Sequence, residues 1–510
     1  MLIIQRSFFA YLDEMNTITI LLPHSYFEGR SSLFYIKEEN NEKKPLSIHE
    51  THRLQGQNKY VCSLDFEPML DRTYYIEDEH GNETDLQIGA VIRTPEFDEK
   101  FFYDGNDLGV TLENDRTTFK VWAPTATKVK VKITDPDMKS VSQYDMTREA
   151  KGIWSFSLDK RAEGWFYTYL TCINLNWQEA VDPYAQSVSL NSEWGAIVDL
   201  EKSTPLEPLP PIESKTDSII YELHVRDFSV HKESGMKHKG TYRAFTEEGT
   251  KTPNGLSTGL NYLNDLGITH VELLPVNDFE GVSDLRDDSR YNWGYNPLNF
   301  NSPEGSYSSR PEDPYSRINE LKSVIQSLHD RGIRVILDVV YNHVYIKEDS
   351  SFEKIVPGYY FRYDANGMPS NGTGVGNDIA SERKMARKFI TDSVLYWLKE
   401  YKVDGFRFDL MGILDVETMN RVQEEAEKIL PNILIIGEGW ELNTPLPPNM
   451  KANIRNAGKM PGISQFNDSF RDGIKGSTFN LYDRGFALGH SGLEKRAAEV
   501  LTGSIGVTGE

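Results

Sequence analysis

Cysteine is nearly absent from this sequence. Only two of its 510 residues are cysteines, Cys62 and Cys172. They lie far apart and fall in what we predict to be different domains, so the sequence does not predict a disulfide framework. Reduced thiols are typical of the cytosol, and we therefore expect a cytoplasmic protein. The sequence also lacks a Cys or His cluster with the spacing of a metal site, so we expect no metal and no other cofactor.

Long apolar runs are missing as well. No run approaches the roughly 20 residues that a helix needs to span a bilayer. The first part of the chain contains short apolar stretches, but Arg6, Asp13 and Glu14 interrupt them and no small-residue cleavage site follows. The sequence therefore predicts neither a secretory signal nor a membrane protein.

Positive charge is scarce. The chain has 55 Lys and Arg residues against 77 Asp and Glu residues, which gives a formal net charge of -22. Such a chain is poorly suited to bind nucleic acid or anionic membranes, so we expect neither as a partner and predict a neutral ligand. Aromatic residues make up 11% of the sequence. They suit stacking against sugar rings, although most aromatic rings fill hydrophobic cores.

The pattern of apolar residues divides the chain into three parts. A chain of this length is expected to fold as about two to four domains. Residues 1–100 show the short alternating segments of an N-terminal β domain, and residues 101–207 predict a β-sandwich. The proline-rich segment 203–216 predicts a linker. Residues 208–510 form the third part, in which the pattern changes.

In this third part, apolar strands alternate with amphipathic helices. The first strand is predicted at 218–223, and helices end at glycines such as Gly267 and Gly332 before the next strands begin. Successive helix and strand units build a parallel sheet, and a (β/α)₈ barrel places the carboxyl ends of all its strands on one catalytic face. Five strands are clear in the sequence, and a sixth is predicted at 462–466.

Two acidic residues end neighbouring strands of this sheet. Asp409 ends VDGFRFD, and Glu438 follows the apolar run of ILIIGEG. Retaining cleavage of a glycosidic bond needs a nucleophilic carboxylate and a proton-donating carboxyl roughly 5 to 5.5 Å apart, which adjacent strand ends can supply. Arg407 shares a strand face with Asp409 and would keep it ionised, whereas apolar surroundings and Trp440 would favour protonated Glu438. Either acid alone could also be a solvated strand-end charge.

A third strand ends in the same way, in DVVYNH, with Asp338, Asn342 and His343. By itself this segment could be a structural strand end. Together with GFRFD and the glutamate that follows, it resembles the alpha-amylase superfamily of retaining glycosidases, whose motifs read D-x-x-x-N-H, G-F-R-x-D and a Glu after the fifth strand. The resemblance implies N-terminal all-β sandwich domains followed by a (β/α)₈ TIM barrel.

The segment YNWGYNP, residues 291–297, is similar to the signature of type I pullulanases, which cleave α-1,6 bonds. Its Tyr291, Trp293 and Tyr295 offer stacking surfaces for sugar rings, or else they form a packed loop core. The resemblance covers nearly the whole chain, because further similar stretches are YELHVRDFS, PVNDF, PEGSYSS, NGTGVGND and VDPYA. Residues 119–133 look like part of the carbohydrate-binding module that precedes such barrels.

The resemblance implies a role for each candidate. Asp409 would be the nucleophile of a double displacement, Glu438 its acid/base, and Arg407 the residue that aligns Asp409. The residues expected to bind substrate are Arg407, His343, Asp338, Tyr295, Trp293, Asn342 and Trp440. The expected partner is an α-glucan such as pullulan, glycogen or a limit dextrin.

Four of these residues have more specific implied roles. His343 and Asp338 would hold the glucose at the cleaved bond, and Tyr295 would stack on it. Trp440 would form an aromatic wall near the leaving group. In the sandwich, Trp122, Trp154 or Trp177 could bind glucan weakly, or else they are core residues, as we expect for Trp122 within its alternating strand.

The sequence departs from the family pattern near its end. The family uses a second aspartate, preceded by histidine, after the seventh strand. Neither Asp468 nor the segment around His490 matches that context. We therefore expect a chain that stops inside its barrel, lacks the last strands, folds poorly and is inactive by itself.

Two other functions stay open. A branching transferase of the same superfamily shares the two acids but protects the glycosyl intermediate from water. A noncatalytic α-glucan-binding protein is supported by the N-terminal β domains and the missing aspartate. YNWGYNP favours a debranching hydrolase over both.

Overall fold

The computed structural model describes residues 6–38, 43–286 and 290–503. Its N-terminal part forms a mixed eight-stranded sheet in the order β4-β3-β7-β8-β1-β2-β6-β5. These strands are β1 (Phe9–Glu14), β2 (Thr17–Pro23), β3 (Phe34–Glu38), β4 (Lys44–Pro45), β5 (Ser47–Arg53), β6 (Gln57–Ser63), β7 (Tyr74–Asp78) and β8 (Glu83–Ile88). Helix α1 (Pro95–Phe101) follows the sheet. On β2, Ile18, Ile20 and Leu22 are fully buried, which is the period-two pattern of a strand with one face on a core.

The next part is a β-sandwich of two antiparallel sheets, in the orders β13-β14-β10-β9 and β12-β11-β15-β16, with β17 paired to β15. Its strands are β9 (Gly109–Leu112), β10 (Thr117–Trp122), β11 (Lys128–Thr134), β12 (Val141–Asp145), β13 (Thr147–Arg148), β14 (Ile153–Leu158), β15 (Phe166–Ile173), β16 (Asn176–Ala180) and β17 (Gly195–Ala196). The apolar stretch 119–133 is therefore two strands in different sheets. A turn that contains Pro124 separates them, because proline cannot donate to a strand ladder.

The third part contains a parallel sheet in the order β18-β19-β22-β23-β24-β25, and β20 pairs with β21 outside it. The strands are β18 (Ile220–Leu223), β19 (His270–Leu273), β20 (Asn277–Phe279), β21 (Pro297–Pro303), β22 (Arg334–Val339), β23 (Gly405–Phe408), β24 (Leu434–Gly437) and β25 (Ser464–Gln465). The helices are α2 (Asp227–Val230), α3 (Gly259–Leu266), α4 (Pro314–His329), α5 (Ser351–Ile355), α6 (Lys384–Tyr401), α7 (Val416–Glu427), α8 (Asp468–Lys475) and α9 (Glu494–Leu501). The five predicted parallel strands and the sixth at 462–466 are confirmed.

Short local signals place the helices that connect these strands. Asp313 and Asp415 accept hydrogen bonds from the first-turn amides of α4 and α7, as N-caps do. Gly267 ends α3 in the left-handed conformation at φ 69°, which glycine adopts without steric cost. On α6, Trp397 is 1% exposed and donates its indole N–H to the Phe300 carbonyl at 3.0 Å, which fixes the helix against β21.

The predicted linker 203–216 is an ordered segment that is hydrogen-bonded to the third part. The Thr204 and Glu207 amides donate to two side chains of α4, at 2.8 and 2.9 Å. The Pro210 carbonyl accepts from Arg334 at the start of β22, at 2.8 Å. The segment therefore holds the sandwich to the outside of the parallel sheet.

The sandwich also packs directly on the third part. The ring of Trp122 lies 4.8 Å from the ring of Tyr359, and the Thr171 hydroxyl donates to the Lys354 carbonyl at 3.0 Å.

Among the helices in the described ranges, none is both long and apolar enough to cross a membrane.

Candidate active site

The carboxyl ends of β22, β23 and β24 bring together four predicted site residues: Asp338, Arg407, Asp409 and Glu438. Asp338 and Arg407 are register partners, while Asp409 and Glu438 directly follow β23 and β24. Nη1 of Arg407 lies 3.0 Å from an oxygen of Asp338 and 3.0 Å from an oxygen of Asp409. Nη2 lies 2.7 Å from Oε1 of Glu438. One guanidinium thus bonds three carboxyl groups.

This cluster is shielded from solvent. Asp338 is 1% exposed, and Arg407 and Asp409 are also buried. Burial works against the charge of Arg407, but the carboxylates around it and the Tyr295 hydroxyl outweigh burial and raise its pKa. Burial raises the pKa of Asp338 well above its ordinary range, although the Arg407 charge opposes that shift. Arg407 therefore stays charged among these carboxyl groups.

The carboxyl group of Glu438 does not lie in apolar surroundings, so that expectation is wrong. Besides Arg407, it contacts the backbone of Leu410, whose N–H donates to Oε2 at 3.1 Å. Its side chain remains 19% exposed. Glu438 is therefore held by charged and backbone donors at the rim of the site.

Leu410 has an unusual backbone that produces this contact. Its φ of 39° and ψ of 46° lie in the left-handed region, which a residue with a side chain rarely adopts. Such strain costs on the order of 1 to 3 kcal/mol and is concentrated at functional sites. Here the conformation points the Leu410 amide at Glu438.

Asn342 and His343 lie behind Asp409. The Asn342 amide donates to the Asp409 carbonyl at 2.8 Å and to its Oδ2 at 2.9 Å. The ring nitrogens of His343 lie 2.5 Å from Oδ1 of Asn342 and 3.0 Å from the Tyr295 carbonyl. Burial lowers the pKa of His343. Both of its ring nitrogens face protein acceptors, and a neutral ring donates to only one of them.

The 291–297 loop brings one of its aromatic rings, that of Tyr295, to this cluster. Tyr295 donates its hydroxyl to Oδ2 of Asp338 at 2.6 Å, and its ring lies 5.9 Å from the Arg407 guanidinium. Trp293 is 58% exposed and donates to the Tyr291 hydroxyl at 2.8 Å. The alternative of a packed loop core is therefore wrong for Trp293. Trp440 is half-buried two residues after Glu438.

Two further residues reach this cluster and were not predicted. Phe466 is partly exposed directly after β25, and its ring lies 5.7 Å from the Arg407 guanidinium. Glu272 lies on β19, with Oε1 at 3.9 Å from Nε of Arg407. Two sequence signals could have identified these residues. Phe466 is an aromatic residue at the end of the predicted sixth strand, and Glu272 is an acid inside the apolar run of THVELLPV.

The sandwich tryptophans divide into core and surface residues. Trp122 and Trp154 are 4% and 7% exposed, and their indole N–H groups donate to backbone carbonyls. Trp177 on β16 is 39% exposed. Within the described ranges, no group of three or more His, Cys, Asp or Glu side chains is arranged to hold a metal ion.

Two acids and an arginine at the ends of parallel strands, preceded by β domains, define a glycoside hydrolase of the alpha-amylase type. Comparisons with known families agree. The sequence matches the Pullulanase N1-terminal domain over residues 8–93, carbohydrate-binding module 48 (isoamylase N-terminal domain) over 107–185, and the alpha amylase catalytic domain over 242–364.

Individual relatives give the same result. The chain is 51% identical to the pullulanase of Bacillus subtilis over 506 residues, which covers 99% of this chain and 70% of that protein. A crystal structure of an Anoxybacillus pullulanase complexed with maltotriose matches 98% of this chain and 72% of its own, with 53% identity and a TM-score of 0.96. The Bacillus subtilis type I pullulanase complexed with maltose matches 99% of this chain and 71% of its own, with 51% identity and a TM-score of 0.95. The chain belongs to the type I pullulanases of the alpha-amylase family, which are debranching glycoside hydrolases.

Proposed function

We propose that this chain carries the catalytic centre of a hydrolase that cleaves α-1,6-glucosidic bonds in pullulan, glycogen or limit dextrins with retention. The observation that carries the proposal is the Arg407 guanidinium, which bonds Asp409 and Glu438 at 3.0 and 2.7 Å. It holds two carboxyl groups of neighbouring strand ends on one guanidinium, and retaining glycosidases place their two carboxyl groups about 5 to 5.5 Å apart.

In the first step, Asp409 attacks the anomeric carbon while Glu438 gives its proton to the glycosidic oxygen. The carbon–oxygen bond to the leaving chain breaks, and a glycosyl ester forms on Asp409. In the second step, Glu438 takes a proton from water and the water oxygen attacks the same carbon. The ester breaks, Asp409 is released, and two inversions leave the configuration retained.

The surrounding residues orient the nucleophile. Arg407 bonds one oxygen of Asp409 and Asn342 bonds the other, so the carboxylate plane is defined from two sides. His343 supports Asn342 from behind. Held groups of this kind lower the entropic cost of reaching the reactive geometry.

The aromatic residues at the mouth are proposed to bind the glucan. Tyr295, at the edge of the cluster, would stack on the glucose at the cleaved bond, and exposed Trp293 would contact a neighbouring unit. Trp440 would wall the leaving-group side, and Asp338 would bond a sugar hydroxyl. The maltotriose and maltose complexes of the two relatives support an α-glucan ligand. The two buried, unpaired thiols Cys62 and Cys172 support a reducing cytoplasmic location.

The experiment is digestion of pullulan and amylose by the protein that contains this chain. New reducing ends from pullulan, as linear maltooligosaccharides, with amylose left intact are the expected result. A changed chain-length distribution without new reducing ends would indicate a transferase instead. Glucan affinity without either reaction would indicate a binding protein. The expectation that the 510-residue chain is inactive by itself stays a prediction.

The stereochemical outcome tests the mechanism separately. Proton NMR of the earliest product is expected to show the α-anomer, since the product of retention keeps the configuration of the substrate bond. The β-anomer as first product would contradict the double displacement.

A further inference from the structure

Glu272 is an acidic residue inside an apolar strand. Val271 and Leu273, its neighbours on β19, are fully buried, and Glu272 itself is 2% exposed. In register it pairs with Ile336, two residues before Asp338 on β22. Because strand side chains alternate, Glu272 points to the same side of the sheet as Asp338 and lies one layer beneath it.

Its carboxyl group faces the remaining nitrogen of Arg407. Oε1 of Glu272 lies 3.9 Å from Nε of Arg407, while the two terminal nitrogens of Arg407 hold the catalytic carboxyls. Among the residues that the structure describes, neither Oε1 nor Nε has a hydrogen-bond partner. Buried polar atoms are rarely left unpaired, so this facing pair calls for an explanation other than packing.

The charges around Arg407 supply that explanation. Its carboxyl neighbours are Asp338 on β22, Asp409 after β23, Glu438 after β24 and Glu272 on β19, and Glu222 on β18 lies beside Glu272 in register. One cation cannot compensate so many carboxyl groups if all of them are ionised.

The titration of Glu272 reflects its burial first and the neighbouring carboxyl groups second. Burial raises the pKa of Glu272 to about 7, Arg407 opposes the shift, and Glu222 and Glu438 add to it. Its carboxyl therefore changes charge in the neutral range.

We propose that Glu272 is a positioning residue that acts through Arg407 and makes hydrolysis decline as the pH rises through neutrality. While Glu272 is protonated, the charge of Arg407 is directed at Asp409 and Glu438. Once ionised, Glu272 draws the guanidinium toward β19, and Asp409 loses part of its alignment. The inference rests on the proposed function, because it assumes that Asp409 and Glu438 are the reacting groups.

The first measurement does not depend on turnover. In the protein that contains this chain, glutamate carboxyl carbons are labelled with ¹³C and followed by NMR across the neutral pH range. A resonance with a midpoint at about 7 is expected beside that of Glu304, whose pKa is about 8, and only the first should be absent from Glu272→Gln. If the substitution removes no resonance that titrates near neutrality, the proposal is overturned.

The second measurement is the pH profile of kcat/KM for pullulan, recorded with the protein that contains this chain, which serves as the parent. About one pH unit above its pKa, a group is roughly nine-tenths ionised. At that pH, kcat/KM of the parent is expected to fall by up to about tenfold, and that of Glu272→Gln by much less. The ratio of the variant's kcat/KM to the parent's therefore rises with pH. Glu424→Gln, on the exposed side of α7, removes a carboxylate far from Arg407 and should reproduce the parent profile.

The outcomes separate the two hypotheses. Superimposable profiles of the parent and Glu272→Gln would overturn the role of Glu272. A parent that hydrolyses no α-glucan at any pH would overturn the proposed function, and the carboxyl titration would then decide on Glu272 by itself. If Glu272→Gln does not fold, Glu272→Asp replaces it. The shorter acid should keep a neutral titration and lower kcat rather than raise KM, whereas a purely structural role would leave kcat unchanged.

Discussion

At the scale of single residues, Arg407 determines how the site is arranged. Its two terminal nitrogens bond Asp338, Asp409 and Glu438, so each carboxyl group is fixed relative to the other two. Arginine suits this task because its guanidinium is planar, always charged and presents several donors in a rigid fork. A lysine at this position could not bridge the three groups with the same geometry.

Asp409→Asn tests the nucleophile. The amide oxygen of the variant can still accept from Asn342, so the fold should change little. Turnover of pullulan should fall below detection, because an amide does not form the glycosyl ester. Reducing-end release, with the melting temperature as the check on folding, measures both. Residual hydrolysis near the parent rate would show that Asp409 is not the nucleophile.

Glu438→Gln tests the acid. General acid catalysis is worth roughly 10² to 10⁴ in rate, and this part is lost when no proton can be given. An activated substrate such as α-glucosyl fluoride needs little protonation, so the first step should be nearly spared. The measurement is the ratio of variant to parent rates on pullulan and on the fluoride. Equal losses on both substrates would remove Glu438 from the acid role.

At the scale of elements, β10 of the sandwich contributes to an interface. Trp122 ends this strand, is 4% exposed, and packs edge-on against Tyr359 of the third part. Trp177 lies on β16 of the same sandwich, and its side chain is 39% exposed. The two tryptophans of the same sandwich therefore have different physical roles.

Substitution by alanine should separate those roles. Removing a buried tryptophan costs about 3 to 5 kcal/mol, so Trp122→Ala should lower the melting temperature of the chain by several degrees. Trp177→Ala should change stability by less than about 0.5 kcal/mol. Calorimetry of both variants, and affinity electrophoresis with glycogen for Trp177→Ala, are the measurements. Equal destabilisation by the two substitutions would contradict the assignment of core and surface.

At the scale of the whole molecule, a second cluster of buried acids, Asp278, Asp284 and Glu304, joins the sandwich to the third part. Asp278 accepts from the Ser192 hydroxyl at 2.7 Å, and Arg317 pairs with Asp284 at 3.1 Å. Burial raises the pKa of Asp278 to about 7 and that of Glu304 to about 8, with the Arg317 charge opposing the shift of Asp278. Ser192 belongs to the sandwich side, so the charge of this cluster affects how the two parts are held together.

This cluster predicts a pH dependence of stability. Both pKa values are raised on folding, so the folded chain keeps protons that the unfolded chain releases. The stabilising contribution is complete below about pH 4 and is lost as the pH rises to about 8. The free energy of unfolding should therefore fall over this range, by at most about 1.4 kcal/mol per pH unit for one group.

Urea unfolding across this pH range measures the effect, with Asp278→Asn as the comparison. Asparagine can keep bonds to Ser192 and Asn299 while it removes one titration. The variant should therefore lose less stability than the parent as the pH rises. If the free energies of unfolding of the parent and the variant change with pH in parallel, Asp278 does not titrate near neutral pH in the folded chain.

Strand-end residues such as Asp338, Asp409 and Glu438 could be predicted because parallel strands are buried on both faces. In the sequence, such strands are apolar runs that stop where polar residues begin. Each sheet lies within one of the predicted ranges 1–100, 101–207 and 208–510. These regularities depend on local sequence alone.

Contacts across strands could not be predicted in the same way. The bond from Arg407 to Glu438 depends on how two side chains lean between β23 and β24, which no local pattern specifies. The left-handed backbone of Leu410 arises from tertiary contacts that outweigh the preference of leucine. Trp154 stands in an alternating strand, where period two alone does not say which face is covered.

The most direct test of the central claim is to trap the glycosyl-enzyme intermediate. The protein that contains this chain is reacted with a 5-fluoro-α-glucosyl fluoride, which forms the ester faster than water breaks it, and peptides are sequenced by mass spectrometry. The account predicts one glycosyl group on Asp409, no label in Asp409→Asn, and labelling that persists in Glu438→Gln. A glycosyl group on any other residue, or turnover without a trapped ester, would contradict it.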